Sequence, residues 1–251
     1  MVKSTTLLLD IEGVTTSVSF VKDTLFAYCN DCVEKFLREN FNRQEVLNAI
    51  DQIRMEANIE RRSDTNVSIV PDDEDSQENI ISKTVSNVNY WISKDKKLKS
   101  LKHLQGLLLK SAFESGKFKG HIYPDVKPCL KRLLSAVPVY IYSSGSVLTQ
   151  KLLFTYSVDG DLTPLISGYF DTSIGSKVES NSYKKIASTL GISPQSILFL
   201  THSELEARAA HAAGCSSRLV LRDGNETLTD AAKLDLQQIN SFREVPLLFG
   251  M

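Results

Sequence analysis

Residues 5–16 read Thr5-Thr6-Leu7-Leu8-Leu9-Asp10-Ile11-Glu12-Gly13-Val14-Thr15-Thr16, and this stretch decides the predicted fold. The run from Thr5 to Leu9 is apolar and β-branched, which is typical of a strand buried on both faces of a parallel sheet. If the strand continued through Glu12, Asp10 and Glu12 would point to the same side, because side chains alternate along a strand. Gly13 then allows the backbone to leave the strand sharply.

The acid pair after this strand allows two interpretations. In an open α/β sheet, ligands bind beyond the carboxyl ends of the strands. Asp10 and Glu12 would there suit a nucleophile or metal ligand beside a general acid or base. The alternative is a solvated acidic turn without a function, and the spacing alone does not decide between the two.

Composition excludes several classes of function. The 251 residues carry 29 Lys and Arg against 30 Asp and Glu, a net charge of -1, so no global field favours nucleic acid or an anionic membrane. The apolar fraction of 42% is ordinary for a globular protein, and the apolar runs are far too short for a membrane span. Without a secretory pattern at the N-terminus, we expect an intracellular protein.

Cys29 and Cys32 form a C-x-x-C pair, which can indicate a redox site or half of a zinc site. The alternative is two cysteines on one turn of a helix. No second C-x-x-C pair and no thioredoxin-like βαβ pattern accompanies them. We therefore expect these cysteines to have no catalytic role.

The hydrophobic pattern predicts one α/β domain interrupted by a helical block. Residues 18–118 show apolar residues at helical spacing, broken by an acidic segment, residues 63–79, that we predict to be a mobile loop. The alternation of strands and helices follows from residue 119 onward. The predicted domains are thus an α/β core, 1–17 and 119–251, and a helical insertion, 18–118. Further strands are predicted at 137–142, 169–171, 196–200 and, as the last strand, 217–221.

Polar groups also follow the later strands. The run Ser143-Ser144-Gly145-Ser146 follows one of them, and hydroxyls with free backbone N–H groups before a helix can bind an anion. Lys177 lies between two short elements, and Thr201-His202-Ser203-Glu204-Leu205-Glu206 follows the strand at 196–200. Each feature alone is weak, but an acid pair, a hydroxyl turn, a lysine and a polar cluster occur in order at successive strand ends.

That order resembles the haloacid dehalogenase (HAD) superfamily of phosphotransferases. Its four motifs would correspond to Asp10 with Glu12, to Ser143, to Lys177 and to residues 201–206, and the helical block would be its inserted cap. The runs Leu8-Leu9-Asp10-Ile11-Glu12-Gly13, Tyr140-Ile141-Tyr142-Ser143-Ser144-Gly145-Ser146 and Leu198-Phe199-Leu200-Thr201, with Arg222, Gly224 and Asn225 near the end, are similar to the enolase-phosphatase E1 family of methionine salvage. The match runs nearly end to end.

The resemblance implies a fold and a reaction. The fold would be a Rossmann-like HAD core with a parallel sheet. The enzyme would enolise and then dephosphorylate 2,3-diketo-5-methylthiopentyl-1-phosphate to an acireductone through an aspartyl-phosphate. Asp10 would be the nucleophile and Glu12 the general acid and base, while Ser143 and Ser144 would bind the substrate and Lys177 would offset the negative charge.

The resemblance also implies one Mg²⁺ per subunit, bound by Asp10, the backbone carbonyl of Glu12 and an aspartate after the strand at 196–200. His202 stands in that aspartate's position, and imidazole is a poor ligand for Mg²⁺. Glu206 is a possible substitute. A shift in metal preference and weakened activity are the other interpretations of this departure.

Two further functions remain open at this point. One is a catalytically silent binding protein on the same fold, and the other is a capped phosphatase for another small phosphate ester. For the enzyme, the resemblance implies a monomer in the cytoplasm, and also in the nucleus, with a small phosphate ester as its partner and neither nucleic acid nor membrane.

Overall fold

The strand predicted at residues 5–9 forms the centre of a six-stranded parallel sheet in the computed structural model, which describes residues 4–251. The strands are β1 (Thr6–Leu9), β2 (Val139–Tyr142), β3 (Gly168–Phe170), β4 (Ile197–Thr201), β5 (Ser216–Val220) and β6 (Gln238–Ile239). Their order in the sheet is β3-β2-β1-β4-β5-β6, and all five pairs are parallel. The fold is therefore the predicted α/β class.

Helices cover both faces of this sheet. In chain order they are α5 (Val126–Leu133), α6 (Val147–Thr155), α7 (Ser180–Leu190), α8 (Glu204–Ala212), α9 (Asp230–Asp235) and α10 (Val245–Leu248), numbered after the four helices of the inserted segment. Leu7 and Leu9 pack into a core cluster that includes α5 and α6, whereas Leu8 packs into a second cluster that includes α7 and α8. The period-two alternation of a strand thus sends successive leucines to opposite layers. Full burial of each leucine stabilises the fold by about 1.5–3 kcal/mol.

The sequence interpretation missed the last strand. We expected the strand after residue 216 to be the final one, but β6 follows it and pairs in parallel with β5, Leu219 opposite Gln238 and Val220 opposite Ile239. A strand of two residues, one of them polar, is too short to produce a hydrophobic period. Its position at the sheet edge depends on pairing with β5, which no local pattern reveals.

The chain divides into two compact units. One comprises the residues up to Val21 together with Lys119–Met251 and contains the sheet, and the other is Lys22–Phe118. A π-helix, Phe20–Phe26, leads into four helices: α1 (Ala27–Asn40), α2 (Gln44–Glu60), α3 (Gln77–Ser93) and α4 (Lys99–Glu114). That this helical unit acts as a cap, with the boundaries 18–118, stays a prediction.

The segment between α2 and α3 is tied to its own unit by several contacts. Val67 and Val70 are buried, and the Asn87 side chain accepts from the Ser68 N–H at 2.7 Å and donates to the Ser68 carbonyl at 2.8 Å. Arg54 donates to the Pro71 carbonyl at 2.6 Å. The mobility predicted for residues 63–79 stays a prediction. Within residues 4–251, the helices are all too short or too polar to cross a bilayer.

The C-x-x-C pair lies on α1, inside the helical unit. Cys29 is buried, and burial raises the pKa of its thiol to about 12, so the thiol stays protonated and unreactive at neutral pH. Cys32 is partly exposed, and both thiols are free. These surroundings are those of a packing residue on a helix rather than of a strand-end site.

We predict that replacing Cys29 and Cys32 together with serine leaves any phosphatase turnover within a few fold. A hydroxyl at the buried Cys29 position lowers the free energy of unfolding by about 1–3 kcal/mol, measured by urea denaturation. Cys32→Ser alone is the matched control and should change stability little, because that side chain already contacts solvent. A hundredfold loss of turnover in a folded double variant, or stoichiometric zinc by metal analysis, would contradict this prediction.

Candidate active site

The candidate site lies where β1, β2 and β4 end at the same edge of the sheet. Leu9 is paired with Ile141 on one side and with Leu200 on the other, so the three chains leave the sheet at nearly the same level. The alternation along β1 directs Asp10 to the same side as Leu8. That is the side on which α7 and α8 pack. Helix α7 begins shortly after Lys177, and α8 contains Glu206.

Three charged side chains meet there in a buried cluster, which we call the charge cluster: Asp10, Lys177 and Glu206. Lys177 Nζ lies 2.7 Å from Asp10 Oδ2 and 2.8 Å from Glu206 Oε2. Only 8% of the Lys177 side chain and 3% of the Asp10 side chain are exposed, so water screens these charges little. The other Asp10 oxygen, Oδ1, accepts from the Ile11 N–H at 2.8 Å.

The cluster controls its own ionisation. Burial opposes the charged form of Asp10, but Lys177, with His202 in addition, outweighs burial and lowers the pKa of the carboxyl. Burial alone would lower the pKa of Lys177, but the charges of Asp10 and Glu206 raise it. Burial, followed by repulsion from Asp10, raises the pKa of Glu206. Asp10 is therefore held as a carboxylate, the form that can act as a nucleophile.

Two uncharged side chains position the cluster. The fully buried Tyr183 hydroxyl on α7 donates to the Lys177 carbonyl at 2.6 Å and lies 3.3 Å from the Glu206 carbonyl. Thr201 at the end of β4 donates its hydroxyl to Glu206 Oε2 at 2.6 Å. Tyr183 thus holds the Lys177 backbone and Thr201 holds the Glu206 carboxylate. The lysine ammonium therefore stays between Asp10 and Glu206.

The serine turn follows β2 at the same edge of the sheet. Ser143 is buried, and its Oγ accepts from the Gly145 N–H at 3.4 Å, while Ser144 is partly exposed. Gln150 on α6 donates to the carbonyls of Gly145, at 2.8 Å, and Phe170, at 2.9 Å, which anchors the turn to β3. The structure therefore places both predicted serines at the site edge in a braced turn, and their contact with a substrate stays a prediction.

The strand does not continue to Glu12. β1 ends at Leu9, and the N–H groups of Val14, Thr15 and Thr16 all lie 2.9–3.2 Å from the Ile11 carbonyl, which closes a tight turn. Strand alternation therefore does not relate Asp10 to Glu12, because β1 does not extend that far. Glu12 instead forms an isolated bridge with Thr16 in this turn.

Gly13 occupies a backbone conformation that favours glycine. Its φ of +67° lies in the left-handed region, and its Cα is closely approached by two side chains. A Cβ built on Gly13 would lie 2.5 Å from Asn225 Oδ1 and 2.8 Å from His202 Cγ. The turn after the acid pair is therefore packed against residues that arrive about 190 or more positions later in the chain.

His202 follows β4 and faces Asp10. Its Nδ1 lies 3.6 Å from Asp10 Oδ2, too long for a hydrogen bond, and this buried nitrogen has no hydrogen-bond partner among residues 4–251. Burial opposes the charged imidazole, but the neighbouring Asp10 outweighs burial and raises its pKa. The structure thus brings His202 close to the Asp10 carboxylate.

The Asp10 carboxylate and the His202 imidazole together fit a divalent cation. The imidazole nitrogen does not suit a cation that requires oxygen ligands. An unpaired imidazole nitrogen facing a carboxylate oxygen suits Mn²⁺ better than Mg²⁺. Glu206, the possible substitute ligand, is engaged by Lys177 and Thr201. In the part of the chain that the structure describes, no three His, Cys, Asp or Glu side chains converge as a metal cluster. The chemistry of the donors therefore favours weak binding of Mg²⁺.

Sequence reasoning did not identify three residues that shape this site. Thr201 and Asn225 were predicted only as members of motifs, without a contact of their own, and no role was predicted for Tyr183. A threonine at a strand end and a tyrosine on a helix are common, so neither carries a signal. The run Arg222–Asn225 after β5 was the available signal, because it places polar residues after another strand end.

We predict that Gly13→Ala lowers the free energy of unfolding by about 2–5 kcal/mol, because left-handed strain and overpacking add. Gly160→Ala is the matched control, since its φ is +86° and a Cβ there would meet no atom within 4 Å of the described residues. Strain alone should cost the control about 1–2 kcal/mol. Urea denaturation measures both values, and equal losses would show that Asn225 and His202 do not pack closely on Gly13.

Comparison with known proteins identifies the family. No family model matches the chain. The chain is 48% identical to the enolase-phosphatase E1 of Caenorhabditis briggsae over 240 residues, which cover 95% of this chain and 95% of that protein. It is 32% identical to the UTR4 protein of Saccharomyces cerevisiae, whose crystal structure matches with a TM-score of 0.76 over 95% of this chain and 98% of that one.

More distant structures show the fold alone. The L-2-haloacid dehalogenase of Xanthobacter autotrophicus matches with a TM-score of 0.52 over 98% of both chains, at 14% identity. Together with the six-stranded sheet order, this likeness confirms the predicted HAD-like fold. The 48% identity over 95% of both chains decides the narrower assignment. The chain belongs to the enolase-phosphatase E1 family of HAD-like hydrolases.

Proposed function

We propose that this protein is a phosphatase that transfers a phosphoryl group from a small phosphate ester to Asp10 and then to water. The observation that carries the proposal is the buried Asp10 carboxylate at the end of the central strand, 2.7 Å from the Lys177 ammonium. Asp10 has a lowered pKa and is anionic, and the fixed lysine offsets the charge that accumulates when a phosphate approaches it.

In the first step, an Asp10 oxygen attacks phosphorus and the bond from phosphorus to the ester oxygen breaks. An aspartyl-phosphate forms, and the leaving alcohol oxygen takes a proton from Glu12. Lys177 stabilises the negative charge shared by the carboxylate and the phosphoryl group. Ser143 and Ser144 supply hydrogen bonds to the phosphoryl oxygens from the braced turn after β2.

In the second step, water attacks the phosphorus of the aspartyl-phosphate. Glu12, now deprotonated, accepts a proton from that water, and the bond between phosphorus and Asp10 breaks. Inorganic phosphate leaves, and both acids return to their starting protonation states. Glu206 does not touch the reacting atoms in this scheme. It holds Lys177 in place through its 2.8 Å contact.

We propose 2,3-diketo-5-methylthiopentyl-1-phosphate as the substrate, which the enzyme would first enolise and then dephosphorylate to an acireductone. Family membership supports this step of methionine salvage, as does the name that the relatives share. We also propose that the enzyme works as a monomer in the cytoplasm, with the nucleus as a second location.

Asp10, the Glu12 carbonyl and His202 would hold the divalent cation that we propose as the cofactor, Mg²⁺ in the family. A bound cation would supply additional positive charge to the phosphoryl oxygens. The protein's own residues orient the nucleophile and transfer the protons. The imidazole at position 202 favours a weakly held Mg²⁺, as the donor set indicates.

His202 also favours a second candidate function, a weakened enzyme that serves as a phosphate-ester binding protein on the same fold. Release of inorganic phosphate from the diketone phosphate by the full chain, with Mg²⁺ or Mn²⁺ present, distinguishes the two. Mass spectrometry of the organic product then distinguishes the salvage enzyme from a phosphatase for another ester.

We predict that Asp10→Asn abolishes phosphate release while the protein stays folded, because an amide cannot form the aspartyl-phosphate. Asp230→Asn is the matched control, since that side chain is 95% exposed on α9. Circular dichroism checks the fold of both variants. Turnover in Asp10→Asn close to that of the control would refute the nucleophile assignment.

We predict that His202→Asp lowers the Mg²⁺ concentration needed for half-maximal turnover, because a hard cation gains more from a carboxylate than from imidazole. Mn²⁺ should help the unmodified protein more than it helps the variant. His103→Asp, on α4, makes the same change of side chain in the helical unit and serves as the control. An unchanged or weaker response to Mg²⁺ in His202→Asp would place residue 202 outside the metal site.

A further inference from the structure

The segment after β5 returns to the turn that follows the acid pair. Asn225 donates from its Nδ2 to the Gly13 carbonyl at 2.9 Å and to the Val220 carbonyl at 3.0 Å. One amide thus links the turn after β1 to the end of β5, which is not its neighbour in the sheet. The proposed reaction does not use this contact.

Two peptide planes after Glu12 are fixed by hydrogen bonds. The Gly13 N–H donates to the Thr16 carbonyl at 2.8 Å, and the Val14 N–H lies 3.2 Å from the Ile11 carbonyl. Within a planar trans peptide, the carbonyl points opposite to the N–H. The Gly13 N–H therefore fixes the direction of the Glu12 carbonyl, and the Asn225 contact fixes the next plane from its carbonyl side.

Arg222 adds a third contact to this turn. Its Nη2 lies 3.4 Å from the Val14 carbonyl. The Asp125 carboxylate accepts hydrogen bonds from Nη1 at 2.9 Å and from Nη2 at 2.8 Å. The guanidinium stacks 4.2 Å from the centre of the Tyr123 ring, and its side chain is only 10% exposed. Arg222 is therefore a rigid support for the backbone at Val14.

The packing allows little adjustment at this point. Asn225 Oδ1 is buried without a hydrogen-bond partner among the described residues and occupies the space in which a Cβ of Gly13 would lie. His202, which follows β4, also borders the space in which a Cβ of Gly13 would lie. A rotation of the peptide after Glu12 would therefore require these side chains to move as well.

We infer that Asn225 and Arg222 are positioning residues that hold Glu12 beside Asp10 through the backbone of Gly13 and Val14. This inference rests on the proposed function for its effect on catalysis. Its structural part, a turn held rigid from the end of β5, stands apart from that function. Neither residue needs to touch the substrate, because the peptide planes transmit their effect to the Glu12 carbonyl and side chain.

The test compares Asn225→Asp and Asn225→Ala with the unmodified protein. The aspartate keeps the size of the side chain but replaces the donor with an oxygen that repels the two carbonyls. Asn181→Asp on α7 is the matched control, because it makes the same chemical change at an exposed position. These variants avoid Arg222, whose loss would leave the partly buried Asp125 carboxylate without its ion-pair partner.

Hydrogen exchange measured by mass spectrometry on the metal-free protein provides the first readout. We expect faster exchange in the peptide that covers residues 10–17 of both Asn225 variants, with β2 and β4 unchanged. Asn181→Asp should leave all three segments unchanged. Unchanged exchange at residues 10–17, or an equal increase in β2 and β4, would overturn the inference, because the contact would then be absent or generally structural.

Kinetics and cation binding provide the second readout. We expect kcat to fall about tenfold with KM within about twofold, since misplacing a reacting group affects the transition state more than substrate binding. Calorimetric titration with Mn²⁺ should show weaker binding by the Asn225 variants than by Asn181→Asp. Full kcat and Mn²⁺ affinity in the Asn225 variants would overturn the positioning role. If the unmodified protein releases no phosphate, the proposed function fails, and hydrogen exchange still decides whether the turn is held from Asn225.

Discussion

The site depends on burying one ammonium between two carboxylates. Each buried ion costs several kcal/mol to desolvate, and the cost is offset only when the partners and their hydrogen bonds are well placed. Lys177 meets Asp10 at 2.7 Å and Glu206 at 2.8 Å, and Tyr183 and Thr201 hold the lysine backbone and the glutamate. The chain must therefore bring β1, the loop before α7, and α8 to one edge of the sheet.

The same constraint explains why residue 202 matters. The charge cluster contains two acids and one base. Its neighbour from residues 201–206 is the imidazole of His202 and not a carboxylate. His202 brings one anionic oxygen fewer than the aspartate that the family resemblance implies at this position, yet it still faces Asp10. The contacts among Asp10, Lys177 and Glu206 do not involve residue 202, so the departure from the family pattern leaves the charge cluster intact.

The sequence predicted the parts of the fold that local chemistry controls. The strand at Leu7–Leu9 is recognisable as a continuous apolar run, and polar residues at the ends of such strands predicted the edge where the site lies. The contact of Lys177 with Glu206 and that of Asn225 with Gly13 were not predictable, because each joins segments that only the folded sheet brings together. β6 was missed for the same reason, since its edge position depends on β5 rather than on its own two residues.

The position of β1 in the sheet also has a consequence for synthesis. β1 is completed at Leu9, but its neighbours β2 and β4 begin at Val139 and Ile197, and the four helices α1–α4 lie between β1 and β2. During translation, this fully buried strand therefore stays unpaired for over a hundred residues while local helices can already form. Its three leucines are then exposed to solvent during synthesis, and a chaperone that shields this apolar segment would protect the strand that places Asp10 in the charge cluster.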